Sequence, residues 1–128
     1  MKNALILSLG LLLAGCGSDA AKPDPRVATI RQQHELLLTH QKEYYALLGT
    51  LTGNERLSPA HIKDSRQRFA DMVEQSQANL TAVDQLDPAK SQDPAQIALV
   101  AELATKENSI LERGKKRLAN AHDEHYLP

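Results

Sequence analysis

Tryptophan is absent from this 128-residue chain, phenylalanine occurs once, tyrosine three times and cysteine once. So sparse an aromatic set excludes the stacking platforms on which single-stranded nucleic acids are held. One cysteine closes no disulfide within the chain, so the fold must hold by packing. Neither sign of charge is in excess: 15 Lys and Arg face 16 Asp and Glu, a formal net charge of −1. A nucleic-acid-binding domain concentrates a strong basic excess on one face, so nucleic acid is not an expected partner. The longest apolar stretch, residues 4–13, is about half the roughly twenty residues that span a hydrocarbon core.

That stretch follows Lys2 and ends in Leu13-Ala14-Gly15-Cys16. A positive start, a short apolar run and small residues at a cut site make a secretory signal. The four residues resemble the lipobox of bacterial lipoproteins, with leucine three positions before the cysteine. The resemblance covers only the start of the chain. It implies cleavage between Gly15 and Cys16, diacylglycerol on the Cys16 sulfur, and a further acyl chain, such as palmitate, on the new amine. No other cofactor is expected. Two buried chains already give stable anchoring, so the bilayer itself is the first expected partner. Gly17 stands where an aspartate often marks inner-membrane retention, which is similar to the outer-membrane class facing the periplasm. The mature chain loses Lys2 and keeps a charge near −2, about one domain's length of sequence.

Residues 1–15 are thus expected to be a signal peptide, and 16–23, small and polar, a flexible tether. Three helical segments follow over residues 24–121, at about 24–52, 59–87 and 94–121. Asp24-Pro25, Ser58-Pro59 and Asp93-Pro94 each set an N-cap side chain before proline at the first helical position. Gln96, three residues beyond Asp93, suggests a capping box. Leu51 to Asn54 is expected to end the first helix, and Asp87-Pro88 the second.

Apolar periodicity agrees. The first seam carries Val27, Ile30, His34, Leu37, Gln41, Tyr44, Leu48 and Leu51. The second carries Ile62, Phe69, Met72, Val83 and Leu86, widened by Val73 and Leu80. The third carries Ile97, Val100, Ala104, Leu111 and Leu118, flanked by Leu103 and Ile110. Loops of about six or seven residues force antiparallel neighbours. The expected fold is all-α, an up-down-up three-helix bundle with coiled-coil-like packing. Helix starts recur every 34–35 residues or so, but a solenoid of that period needs two helices per repeat.

Polar residues interrupt the seams: His34, Gln41, Ser76, Asn79 and Glu107. Matching helix midpoints brings His34 level with Ser76 and puts Glu107 within about one turn of His34. Such residues fix register at some cost in stability; the alternatives are a glutamate reaching solvent and a pH-sensitive imidazole–carboxylate contact. Lys63, Arg66 and Arg68 share a pole with Arg113, Lys115, Lys116 and Arg117, far from the lipid. The macrodipole accounts for cations near a helix C-terminus but not for Lys63 and Arg66 near a helix start, so this pole is a candidate surface for an anionic partner. Gly114 within that run suggests a close backbone approach, between helices or to a bound segment. His122 and His125 lie in an expected mobile tail, 122–128, and make at most a weak metal pair; His40 and His61 read as surface residues.

No nucleophile stands beside a base, so an enzyme is not expected. The expected role is an envelope-tethered adaptor or partner-binding lipoprotein. Pilotins of secretion systems are similar in scale, a likeness of architecture alone. Two alternatives are an immunity or exclusion lipoprotein that neutralises a toxin or blocks a receptor, and a pH- or metal-responsive envelope sensor. Self-association is open to any of them.

Overall fold

The computed structural model describes residues 23–50 and 58–124. The lipobox, Cys16, the tether up to residue 22, Leu51–Asn54 and His125 lie outside them. Three α-helices run Pro25–Thr50 (α1), Pro59–Asp84 (α2) and Pro94–Glu124 (α3), with a 3₁₀ turn at Pro88–Lys90.

Each helix starts at an X-Pro pair. Proline needs no hydrogen-bond partner at the first position, and the side chain before it takes one of the orphan N–H groups. The Arg26 N–H donates to Asp24 Oδ1 at 2.9 Å, His61 N–H to Ser58 Oγ at 3.1 Å, and Ala95 N–H to Asp93 Oδ1 at 2.9 Å.

Helix ends depart from expectation. α2 stops at Asp84 rather than Asp87. The N–H of Gln85 turns back to the Ala82 carbonyl and that of Leu86 to the Val83 carbonyl, both at 3.2 Å, tightening the last turn toward 3₁₀ geometry. Asp87-Pro88 then starts a new turn: the Ala89 N–H donates to Asp87 Oδ1 at 2.9 Å. Gln96 does not complete a capping box with Asp93. It donates from Nε2 to the Asp87 carbonyl at 2.9 Å and accepts the Asp87 N–H on Oε1 at 3.1 Å. Those two bonds tie the connecting loop to α3. At its far end α3 continues through His122 to Glu124, because Leu118 and Ala121 are buried in the core and hold the last turns.

α1 packs against both other helices, and α2 against α3. Pairings along the chain give the directions. Arg31 reaches Asp84 and Tyr45 reaches Arg66, so α1 and α2 are antiparallel. Gln33 meets Asn108 and Tyr44 meets Arg117, so α1 and α3 are parallel. The architecture is an up-down-up three-helix bundle.

Its core comes in two parts. The larger cluster joins Leu37, Tyr44, Leu48, Phe69, Met72, Ile110, Leu111 and Leu118 with their neighbours. Tyr44 and Phe69 lie with ring centroids 5.0 Å apart, a favourable tilted aromatic pair. The smaller cluster is Ile30, Val83 and Leu103, near the end where residue 23 enters. Gly114 sits inside the larger one. A Cβ there would meet Leu37 Cδ1 at 2.8 Å and Phe69 Cζ at 3.4 Å, so the close approach is between helices. Ile97, placed on the third seam by periodicity, is 39% exposed; the seam begins at Val100.

Candidate functional site

Between the two apolar clusters lies a polar layer to which every helix contributes. His34 of α1 precedes Leu37 by one turn; Ser76 and Asn79 lie between Met72 and Val83 on α2; Glu107 lies between Leu103 and Ile110 on α3. All four are buried, Ser76 and Glu107 completely. Ser76 Oγ donates to Glu107 Oε2 at 2.5 Å, and Asn79 Nδ2 donates to Oε1 at 3.0 Å. His34 Nδ1 is 2.8 Å from Ser76 Oγ. A hydroxyl has one proton. With that proton directed to Glu107, His34 must carry a hydrogen on Nδ1 and donate it to Ser76.

The order of groups decides the chemistry. In a nucleophilic triad the imidazole stands between hydroxyl and carboxylate, taking the hydroxyl proton while the carboxylate orients it. Here the hydroxyl stands in the middle and the imidazole at the end. Ser76 Oγ gives its proton to a carboxylate and is sealed from solvent, so the arrangement makes no nucleophile. Its hydroxyl can reverse: Glu107 would donate to Ser76 and Ser76 to a bare His34 Nδ1. In either direction the Ser76 hydroxyl has one donor and one acceptor within the layer.

Gln41, the remaining polar seam residue, belongs elsewhere. Its Nε2 donates to Tyr45 Oη at 3.2 Å, and Tyr45 donates to the Arg66 carbonyl at 3.0 Å, bracing α1 against α2.

The basic pole separates onto different faces. The Arg66 guanidinium lies 5.7 Å from the Tyr45 ring centroid, a cation–π contact on the α1–α2 side. Lys115 Nζ pairs with Glu112 at 3.2 Å, and Lys63 is exposed on α2. Arg113, Lys116 and Arg117 share one face of α3 at three- and four-residue spacing. Across from them on α2 are Arg68 and Gln75, and together they line an open groove of about 470 Å³ with Met72 in its wall. Arg113 Nη2 donates to Gln75 Oε1 at 3.1 Å and Arg117 Nη1 to the hydroxyl of buried Tyr44 at 3.2 Å. Arg68 Nε meets Asp64 Oδ2 at 2.7 Å. That hydrogen bond holds the Asp64 carboxyl below its ordinary range, helped by the nearby positive charges of His61 and Arg117.

A second open groove of about 850 Å³ lies at the opposite pole, walled by Val27, Val83, Leu86, Ile97 and Val100 among polar neighbours. No helix among the described residues is long and apolar enough to cross a membrane. His122 is on α3, not in a tail. Among the described residues no three His, Cys, Asp or Glu side chains converge as metal ligands.

His40 and His61 are half-buried. Both ring nitrogens of His40 and Nε2 of His61 are shielded without a hydrogen-bond partner, and Glu43 Oε1 stands 3.5 Å from His40 Nδ1.

No family model, curated protein or solved structure matches the chain.

Proposed function

We propose that this chain is a membrane-anchored lipoprotein of the bacterial envelope whose three-helix bundle binds a protein partner without catalysing a reaction. The anchor rests on Leu13-Ala14-Gly15-Cys16 behind a short apolar run, with Gly17 favouring the periplasmic face of an outer membrane. The observation that carries the binding role is a division within the bundle. Its hydrogen-bonded acid–base group is sealed between apolar clusters, while its arginines line an open surface groove. The polar layer supplies one bundle register; the groove offers a fixed surface to another molecule.

Anchoring and binding are tested separately. Cys16→Ser should leave an unlipidated, uncut precursor, and a membrane-bound mature form of that variant overturns the anchor. Photo-cross-linking in cells from positions along α2 and α3 should capture one dominant protein. Capture of only this chain and abundant envelope proteins at every position overturns the adaptor reading.

A pH-responsive role is the second reading, and the His34–Ser76–Glu107 relay favours it. His34→Leu would then abolish a pH-dependent change in partner capture while leaving the bundle folded.

A further inference from the structure

We infer that the groove between α2 and α3 binds an acidic segment of the partner protein, with carboxylates on either side of an apolar side chain. The inference rests on the partner-binding reading and specifies its surface and chemistry.

Charge comes first. Arg113 and Arg117 are hydrogen-bonded through neutral acceptors, the Gln75 amide oxygen and the Tyr44 hydroxyl. Lys116 has no ion-pair partner among the described residues. Arg68 is matched by Asp64, and the groove's one carboxylate, on Asp71, accepts from Gln67 Nε2 at 2.9 Å. Three cations therefore face one acid in a chain whose overall charge is slightly negative. An anionic ligand is the complement.

Pre-organisation comes second. Tyr44 is fully buried, so its hydroxyl ties Arg117 to the core, and Gln75 holds Arg113 from across the groove. Guanidinium groups already held in place lose little freedom on binding, and their planar donors match a carboxylate's two oxygens.

Shape and position choose the class of ligand. From Arg113 to Asn120, the length of α3 along the groove, the helix rises about 10 Å. That length suits an elongated segment better than a single small anion, and Met72, 5% exposed, supplies the apolar part of the wall. The groove lies on the middle of α2 and the last half of α3, away from the pole where residue 23 joins α1. On the anchored reading it faces away from the chain's own bilayer, which favours a protein over a lipid surface.

The test uses the full chain, processed in cells and held in neutral dodecyl maltoside micelles. The probe is a short fluorescein-labelled peptide with a leucine between two glutamates, read by anisotropy. The unsubstituted chain should bind it, and Arg113→Gln with Lys116→Gln should weaken binding about tenfold or more. Both side chains are exposed, so an unchanged thermal melt should accompany the loss. Lys63→Gln with Lys115→Gln makes the same charge change outside the groove and should keep affinity within about twofold. Equal weakening by both pairs of substitutions overturns the inference, since diffuse charge would then explain binding. Equal affinity for an isomer with the leucine moved outside the glutamates, or no binding, overturns it too. So does binding of phosphatidylglycerol vesicles, in place of the peptide, that depends on Arg113 and Lys116. Cellular cross-links to one partner from another face would overturn the groove and leave the adaptor reading standing.

Discussion

Ser76 gives its only hydroxyl proton to Glu107 across 2.5 Å, and neither residue is exposed to solvent. The bond crosses from α2 to α3 at the level between the two apolar clusters. A buried carboxylate is costly unless donors surround it, and the two donors named here come from a single helix, α2. Sliding α3 by a turn would move Glu107 away from Ser76 and Asn79, leaving the carboxylate and the Asn79 amide unpaired in an apolar interior.

The first prediction follows from that pairing. Glu107→Leu keeps comparable volume and removes the acceptor for both Ser76 and Asn79. His34 Nδ1 can still take the Ser76 proton, so Asn79 is the donor left unmatched, at about 1–3 kcal/mol, and this variant should lose about that much in urea unfolding. Glu107→Gln keeps one acceptor oxygen and should lose less. Equal stability of the leucine variant and the unsubstituted chain would refute the role assigned to the layer.

Gly114 gives a second prediction, in which two effects oppose. Alanine in a helix interior is favoured over glycine by about 1 kcal/mol. The added Cβ would lie 2.8 Å from Leu37 Cδ1 and 3.4 Å from Phe69 Cζ. Leu37 and Phe69 are fully buried, so Leu37 must shift within a packed core, at about 1–3 kcal/mol. Gly114→Ala should be destabilising on balance, with a lowered melting temperature. Gly49, with nothing within 4 Å of its would-be Cβ, is the control: Gly49→Ala should raise stability by up to about 1 kcal/mol.

Sequence pattern carried the helices and much of the polar layer. Proline after a capping side chain fixes three starts, and apolar spacing fixes the faces. His34, Ser76 and Glu107 were legible as a group because polar residues on a seam have nowhere to go but toward one another. Other features were not legible, for physical reasons. The end of α2 depends on how its final turn tightens, and the role of Gln96 depends on where the loop's Asp87 backbone falls. Periodicity likewise did not separate the basic residues by face: Lys63, Arg66 and Lys115 are near the groove residues in sequence but turned away by helix rotation.

The third prediction concerns acid. Asp24 caps α1 and meets Arg26 at 2.8 Å; that hydrogen bond holds its carboxyl below the ordinary value, against a smaller opposing effect of burial. A carboxyl lowered on folding adds stability above its unfolded pKa, about 3.9, and that stability is lost as pH falls through the folded value. Asp24→Asn preserves a capping oxygen and removes the charge. It should therefore cost about 0.2–1 kcal/mol at neutral pH and nothing near pH 2. Parallel urea titrations at the two pH values check this; an equal deficit at both would assign the effect to the cap and not to the ion pair.

The fourth prediction separates stability from specificity. Removing one member of the layer orphans its partners, but replacing the whole layer orphans nothing. His34→Leu, Ser76→Ala, Asn79→Leu and Glu107→Leu together would join the two apolar clusters into one. Buried ionic groups replaced by apolar residues of similar size commonly leave a protein equally stable or more so. The combined variant should unfold at a urea concentration no lower than the unsubstituted chain. With the polar match gone, what resists a one-turn shift of α3 against α1 and α2 is the close fit of Gly114 to Leu37 and Phe69, the exposed Gln33–Asn108 and Arg113–Gln75 bonds, the Arg117–Tyr44 bond and the loop latch at Gln96. The amide spectrum should accordingly lose its single set of sharp peaks in α3. A sharp, unshifted spectrum would show that these contacts fix register without the layer, and the buried relay would then have to be kept for its protons.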